Sequence, residues 1–223
     1  MFGAKMSLKD YPQSSMKVLV VGATGPTGRL IVKQGIELGH AVTAMARNPA
    51  TAALPEAARV VRADVTRPES LMPAVAGQDA VICCIGTKLS RKPTTLLSDG
   101  TRNLVGAMRE SGVRRLVCVT GIGAGDSKGH GGFFYDRIIQ PLLLNEIYKD
   151  KTRQEAVVRD SGLDWTLVRP AALTNGGRTA LVKAFTHLDG ITVGKISRAD
   201  VAAFVLATLA DKKSVSGTFT ITA

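Results

Sequence analysis

Three glycines at a fixed spacing, Gly22, Gly25 and Gly28, follow directly on a short β-branched run, residues 17–22 (KVLVVG). A turn from a strand into a helix needs residues without a Cβ where the chain tightens, where backbone must approach a ligand, and where helix and strand pack closely. The first amides of such a helix are free and carry a partial positive charge, which suits a diphosphate. The hydroxyls of Thr24 and Thr27 add donors, so Gly22, Thr24, Gly25, Pro26, Thr27 and Gly28 are the expected diphosphate contacts. The spacing alone is weak evidence, since glycines gather in many turns. Its place after a first strand is what gives it weight.

The second chemical signal lies where the second strand ends. An acid there would hold the ribose hydroxyls of NAD, and a base would suit the 2′-phosphate of NADP. The segment reads Met45-Ala46-Arg47-Asn48, with no acid, and Arg47 offers a planar fork suited to a phosphate. NADP(H) is therefore expected in preference to NAD(H). Ligands of parallel sheets bind beyond the carboxyl ends of the strands. That rule adds Asp64-Val65 after the third strand, to border the adenine, and Gly86-Thr87 after the fourth, near the ribose or diphosphate.

The elements that must position these residues alternate in type. Strands are expected over residues 17–22, 41–46, 59–63, 79–85, 115–120, 164–169 and 218–222. Helices are expected over residues 27–38, 68–76, 94–111, 145–161 and 199–209, several of them stopped by glycine (Gly39, Gly112, Gly162). Strand and helix alternate at least five times, which predicts an α/β fold: a Rossmann-type, doubly wound parallel sheet with helices on both faces. Residues 121–132 hold six glycines and read as a long flexible loop, followed by the apolar patch Phe133-Phe134-Tyr135 and residues 138–144. No repeat or linker divides the chain. The polar residues 1–15 read as a flexible leader, as an alternative start before Met16, or as residues added for expression, leaving residues 16–223 as one domain.

Composition narrows the function classes. No stretch approaches the ~20 apolar residues that span a bilayer. The net charge of +11 attracts anions, but the basic residues are scattered and none of their groups is interleaved with aromatics, so no nucleic-acid or membrane partner is expected. Cys83, Cys84 and Cys118 lie in apolar segments at no metal-ligand spacing, which fits buried thiols in a reducing, cytoplasmic setting and no metal site. His40, His130 and His187 match no metal spacing either. His130, in the glycine loop, could reach a substrate, but the plainer reading is preferred for all three.

The run GATGPTG, the RNP after the second strand, SDGTRNLVGAMRESGVRRLVCVTG, SGLDWTLVRPAALTNG and ISRADVAAF together resemble the atypical short-chain dehydrogenase/reductases. The nearest likeness is to NAD(P)H-binding proteins similar to biliverdin reductase B, a flavin reductase, with NmrA-like relatives further off. The resemblance extends from Met16 to the C-terminus. It implies a Rossmann fold with a small C-terminal substrate region, and cofactor contacts at the glycine turn, Arg47, Asp64-Val65 and Gly86-Thr87. It further implies that Thr120 and the Arg169-Pro170 segment face the nicotinamide, and that residues 171–174 wall the substrate pocket.

The catalytic pattern departs from that family. Short-chain dehydrogenases use Tyr-x-x-x-Lys, in which the lysine lowers the tyrosine pKa. Here Ile139 stands four after Tyr135 and Thr152 four after Tyr148. Tyr148 and Lys151 are three apart and share a helix face, which makes them the catalytic candidates in a looser arrangement, against a reading as surface helix residues. Gly121 and Ala171 stand where the biliverdin reductase B pattern has Ser and His, which argues against tetrapyrrole reduction. Hydride transfer to a flavin, quinone or similar planar acceptor survives these absences, because stacking on the nicotinamide does most of the work. The loop at 121–132 with Phe133, Phe134 and Tyr135 could close over such a ligand, or the aromatics could be core or oligomer contacts. A non-catalytic NADP(H) sensor is the second reading, and a sugar epimerase or dehydratase the third.

Overall fold

The computed structural model describes residues 4–5, 15–87, 90–130, 132, 137, 144–179 and 181–223. In chain order the elements are β1 (Ala4–Lys5), β2 (Lys17–Val21), α1 (Pro26–Glu37), β3 (Ala41–Ala46), β4 (Arg59–Arg62), α2 (Met72–Val75) and β5 (Ala80–Cys83). There follow α3 (Leu96–Glu110), β6 (Arg115–Val119), α4 (Asn145–Arg159), β7 (Asp164–Pro170), β8 (Ala172–Thr174), β9 (Lys183–Phe185), β10 (Lys195–Ser197), α5 (Arg198–Thr208) and β11 (Gly217–Thr222).

Strands β4-β3-β2-β5-β6-β7-β11 run parallel in that order, and β9 and then β1 continue the sheet antiparallel beyond β11. Side chains alternate across a strand, so a parallel sheet covered on both sides needs apolar residues at consecutive positions. In β2, Val18 and Val20 enter one core with Ile31 and Val32 of α1 and Val201 and Phe204 of α5. Leu19 and Val21 enter the other, with Leu104 and Met108 of α3 and Val158 of α4. Burying each such side chain stabilises the fold by roughly 1.5–3 kcal/mol. The doubly wound α/β architecture is the one expected.

Four short strands carry no readable period. Segments of two or three residues cannot show alternation, and β8 and β10 form a separate parallel pair, with Ala172 opposite Lys195 and Thr174 opposite Ser197. From the polar N-terminal segment, Ala4 and Lys5 pair with Ala184 and Lys183 at the sheet edge. Residues 121–127 depart from the expected flexible loop. Ile122 and Ala124 are buried. Ile122 N–H donates to Pro170 O at 3.0 Å, Gly123 N–H to Ser127 Oγ at 2.9 Å, and Gly125 N–H to Thr152 Oγ1 at 3.0 Å. Satisfied backbone and buried side chains hold this stretch against β7 and α4. The aromatics Phe133, Phe134 and Tyr135, and residues 138–143, lie outside the described residues.

Helix α4 is fixed at several points. Buried Asp150 accepts from Leu97 N–H at 2.8 Å, so it caps the N-terminus of α3 from a neighbouring helix. Gln154 Nε2 donates to Thr101 Oγ1 at 2.9 Å. Near the C-terminus of α5, the buried Arg115 of β6 donates to Thr208 O at 2.6 Å and Leu209 O at 3.0 Å, and also to Asp164 O at 2.7 Å. It thereby satisfies carbonyls that the helix end leaves open.

Candidate functional site

The strand order reverses direction between β2 and β5, and a cleft of about 630 Å³ opens beyond their carboxyl ends. This volume and position are those of a small-molecule site in an open α/β sheet. The glycine turn forms its floor. Gly22 has φ +87, and a Cβ there would lie 2.6 Å from Cys84 O; a Cβ on Gly28 would lie 2.1 Å from Gly22 O. Only glycine permits these two approaches. At Gly25, which is the N-cap of α1, no side chain caps the helix, and its first turn holds no acid. The amides of that turn therefore face the cleft without a carboxylate competing for them.

All the expected cofactor contacts line this cleft except Pro170: the glycine turn with Thr24, Pro26 and Thr27, then Arg47, Asp64, Val65, Gly86, Thr87 and Thr120. Pro170 is buried inside β7, where it stands opposite Ile221, and its carbonyl accepts from Ile122. The strand carries it into the sheet rather than to the cleft wall. At the β3–β4 end, Arg47 is exposed and Asp64 half-buried. Partial burial works to raise the Asp64 pKa, but hydrogen bonds from Thr66 N–H and Oγ1, both 2.9 Å, and the charges of Arg47 and Arg67 hold it below the ordinary carboxylate range.

The β6 end is built around α4. Lys151 lines the cleft, and its Nζ donates to the carbonyl of Thr120. Burial pushes this amine down to about 8, against the opposing influence of the Cys118 and Glu155 groups beneath it. Tyr148 does not line the cleft, but the Lys151 Nζ sits 5.2 Å from its ring centroid. The two side chains converge on Gly121: a Cβ there would meet Lys151 Nζ at 3.0 Å and Tyr148 Oη at 3.2 Å. The space that a serine would fill is thus occupied by the ends of the two candidate catalytic residues. The position four before Lys151 is Ile147, which is buried, so the Tyr-x-x-x-Lys pair is absent from that register as well.

Beneath Lys151 lies a buried ionic cluster that spacing does not reveal. Glu155 accepts from Thr120 Oγ1 at 2.8 Å and from Arg169 Nε at 2.8 Å and Nη2 at 2.6 Å. Arg169 Nη2 also meets Asp126 Oδ1 at 2.6 Å. Burial works to lower the Arg169 pKa, but its pairing with Glu155 and Asp126 raises it above the ordinary guanidinium value. Arg169 thus turns away from the cleft and fixes Thr120 through Glu155. Of the proposed pocket wall, only Leu173 lines the cleft, joined by Arg198, the first residue of α5. The remaining histidines stay outside it. His40 is buried, its Nδ1 accepting from Met16 N–H at 3.3 Å, and His130 Nδ1 lies 2.9 Å from Ile191 O. His187 is exposed. Among the described residues no group of acids, histidines and cysteines could hold a metal. No described helix is long and apolar enough to cross a membrane.

Residues 22–212 match the family model described as NAD(P)H-binding. The chain belongs to this NAD(P)H-binding family. An uncharacterized chloroplastic protein of Arabidopsis thaliana is 34% identical, covering 89% of this chain and 73% of its own. A Bacillus subtilis family relative, named as the uncharacterized sugar epimerase YhfK, is 31% identical over 93% of this chain and 94% of its own. Among solved structures, a short-chain dehydrogenase/reductase from Veillonella parvula in complex with NADP has a TM-score of 0.79 at 18% identity, covering 94% of this chain and 95% of that one. ChuY, an anaerobilin reductase from Escherichia coli O157:H7, has a TM-score of 0.74 at 19% identity, covering 92% and 96%. These two likenesses concern the fold. The cleft fits the family's dinucleotide on this chain's own geometry: a cradle whose glycines tolerate no Cβ, helix amides free of acid, and room at both ends of the turn.

Proposed function

We propose that this chain is an NADP(H)-dependent reductase that passes hydride to a flavin, quinone or similar conjugated planar acceptor. The observation that carries the reading is the charge arrangement of one cleft. Arg47 stands at its β3 end, the acid-free turn of α1 lies in the middle, and Lys151, its amine pushed down to about 8, stands at the β6 end. Arg47 is assigned to the 2′-phosphate, which makes the chain prefer NADP(H) to NAD(H). When bound, the dinucleotide supplies the hydride.

The residues around it bind, orient and move a proton. The turn at Gly22–Gly28 holds the diphosphate, and Asp64 and Val65 border the adenosine half. Thr120 is fixed by Glu155, and its carbonyl orients the Lys151 amine. An amine with a pKa of about 8 is mostly charged at neutral pH, yet gives up its proton more readily than an ordinary lysine. Lys151 can therefore deliver the proton that accompanies the hydride and recover it from solvent. Tyr148 packs beside Lys151 and bounds its position. The name of the Arabidopsis relative places that protein in the chloroplast, whereas we assign this chain to the cytoplasm, without nucleic-acid or membrane partners.

A non-catalytic NADP(H) sensor would bind the dinucleotide equally well but would not need a displaced amine at the acceptor end. One assay separates the two. Purified protein is mixed with NADPH and a panel of flavins and quinones, and the reduced cofactor is followed by absorbance. Turnover supports the reductase, and tight NADPH binding without turnover supports the sensor. Titration with both dinucleotides tests Arg47, since tighter binding of NAD(H) would refute its assignment. Gly25→Asp tests the turn itself. A Cβ at Gly25 meets Gly22 O at 3.3 Å, a tight approach to backbone, so thermal unfolding of the variant is measured alongside its binding. A carboxylate facing the diphosphate is expected to weaken NADPH binding by about 100-fold, roughly 3 kcal/mol.

A further inference from the structure

Helix α5 is buried from Ala199 to Thr208, and Arg198 alone of its residues is not. Arg198 is half-buried, and it lines the cleft together with Leu173 of β8. Its Nη1 donates to Asn175 Oδ1 at 2.6 Å. Among the described residues that neutral amide oxygen is its only partner, and no carboxylate pairs with it. A half-buried guanidinium held by a neutral acceptor keeps its full charge and most of its donor fork for something else.

The sheet order locates that something. The cleft runs from β3 and β4 on one side of the glycine turn to β6 on the other, and β8 follows directly on β7, next to β6. The only acid lining the cleft among the described residues is Asp64, at the β4 end beside Arg47. The opposite end presents Lys151 and Arg198 with no acid between them. Lys151 is already engaged with Thr120 O, whereas Arg198 lines the cleft from the start of α5, directly after β10 and outside the main sheet that carries the diphosphate turn. The acceptor end is therefore cationic.

We infer that Arg198, oriented by Asn175, is an anion-recognising residue of the acceptor site, and that the acceptor carries a carboxylate or phosphate. This rests on the reductase reading for the word acceptor, but not for the site itself. The guanidinium fork pairs the anion bidentately, Leu173 covers the flat face of the ligand, and no bond is made or broken at Arg198.

The test compares riboflavin with flavin mononucleotide, which differ by one phosphate. Binding of each to the protein saturated with NADP⁺ is measured by flavin fluorescence, for the natural chain, Arg198→Gln and Arg198→Lys. A charge-assisted bidentate pair is expected to make the natural chain bind the mononucleotide about tenfold more tightly than riboflavin. Arg198→Gln should bring the two within about twofold, and Arg198→Lys should keep part of the preference. NADPH affinity, titrated separately, should stay unchanged. The inference is overturned if the natural chain shows no preference or if Arg198→Gln retains it. It is equally overturned if NADPH affinity falls in step, since Arg198 would then serve the dinucleotide's diphosphate. Should neither flavin bind, naphthoquinone and its sulfonate replace them, and failure of the sulfonate to bind also overturns it. NADPH consumption is followed in parallel. A phosphate preference without consumption would sink the reductase reading and leave the anion site standing, and consumption without preference would do the reverse.

Discussion

Replacing Glu155 by glutamine tests whether the buried cluster sets both the stability of the β6 end and the acidity of its amine. Glu155 is fully buried and accepts from Thr120 Oγ1 at 2.8 Å, Arg169 Nε at 2.8 Å, Arg169 Nη2 at 2.6 Å and Arg159 Nη1 at 3.2 Å. Glutamine keeps the volume but removes the charge and turns an NH2 group toward donors. Breaking a buried ion pair from one side costs roughly 3–5 kcal/mol, because the remaining charge is left uncompensated. Asp126 still contacts Arg169 Nη2 at 2.6 Å, but that carboxylate is 84% exposed and screened by water. The loss should therefore fall near the lower bound, about 3 kcal/mol. Trp165 is the chain's one tryptophan and lies in β7, the strand that also carries Arg169, so urea unfolding followed by its fluorescence reads the loss of stability. With a urea slope of about 2.5 kcal/mol/M, the midpoint should drop by about 1 M. Glu155 also helps to hold up the Lys151 pKa, which burial has pushed down to about 8. Without the carboxylate the amine should lose its proton at lower pH, and the alkaline fall in reductase activity should move toward neutrality. A midpoint within about 0.3 M of the natural chain, with an unmoved pH profile, would refute the reasoning.

Three further outcomes are expected. Gly28→Ala would place a Cβ 2.1 Å from the backbone oxygen of Gly22, a clash no side-chain rotation relieves, and should cost more than ~3 kcal/mol in the same denaturation experiment. Arg115→Met would remove the guanidinium donor from the carbonyls of Thr208, Leu209 and Asp164, of which Thr208 O keeps Ser214 Oγ at 3.1 Å. At about 1–3 kcal/mol for each unsatisfied buried group, a loss of roughly 2 kcal/mol or more is expected from the other two, read as a fall in melting temperature. Lys151 releases its proton at about 8 when folded and at its ordinary 10.5 when unfolded. The unfolded chain therefore binds more protons between these values, so the natural protein should gain stability as pH rises across that window, and Lys151→Met should lack the gain.

The parts of the site legible from sequence are those that one short segment supplies. The turn from Gly22 to Gly28, and Arg47 at the end of β3, announce themselves because strand, turn and helix lie next to one another in the chain. Lys151 was legible only as a helix-face neighbour of Tyr148, and its partner Thr120 lies 31 residues away. The Glu155–Arg169 pair was hidden because burial, which decides whether such charges matter, depends on how α4 packs over β7. The family resemblance sets Pro170 against the nicotinamide, but β7 runs one residue further than the strand expected at 164–169 and keeps Pro170 in register with Ile221. Arg198 sat inside the run ISRADVAAF with no role, since its partner Asn175, one residue beyond β8, is brought near only by the three-residue pairing of β8 with β10. Glycine content suggested mobility for residues 121–127, whereas Ile122 and Ala124 anchor that stretch in the core.

The separate β8–β10 sheet divides labour within the molecule. Its two strands pair with each other, and the Lys195 carbonyl joins them to the main sheet by accepting from Ala223 N–H at 3.0 Å and Thr222 Oγ1 at 3.3 Å, so changes to Leu173 or Asn175 meet the ladder at β11, four strands from the β2 that leads into the glycine turn. Such a chain can exchange one acceptor for another by small edits to a peripheral wall while its grip on the nucleotide stays as it was. That independence makes relatives with the same cofactor and different substrates easy to reach, and it gives an engineer a compact place to begin.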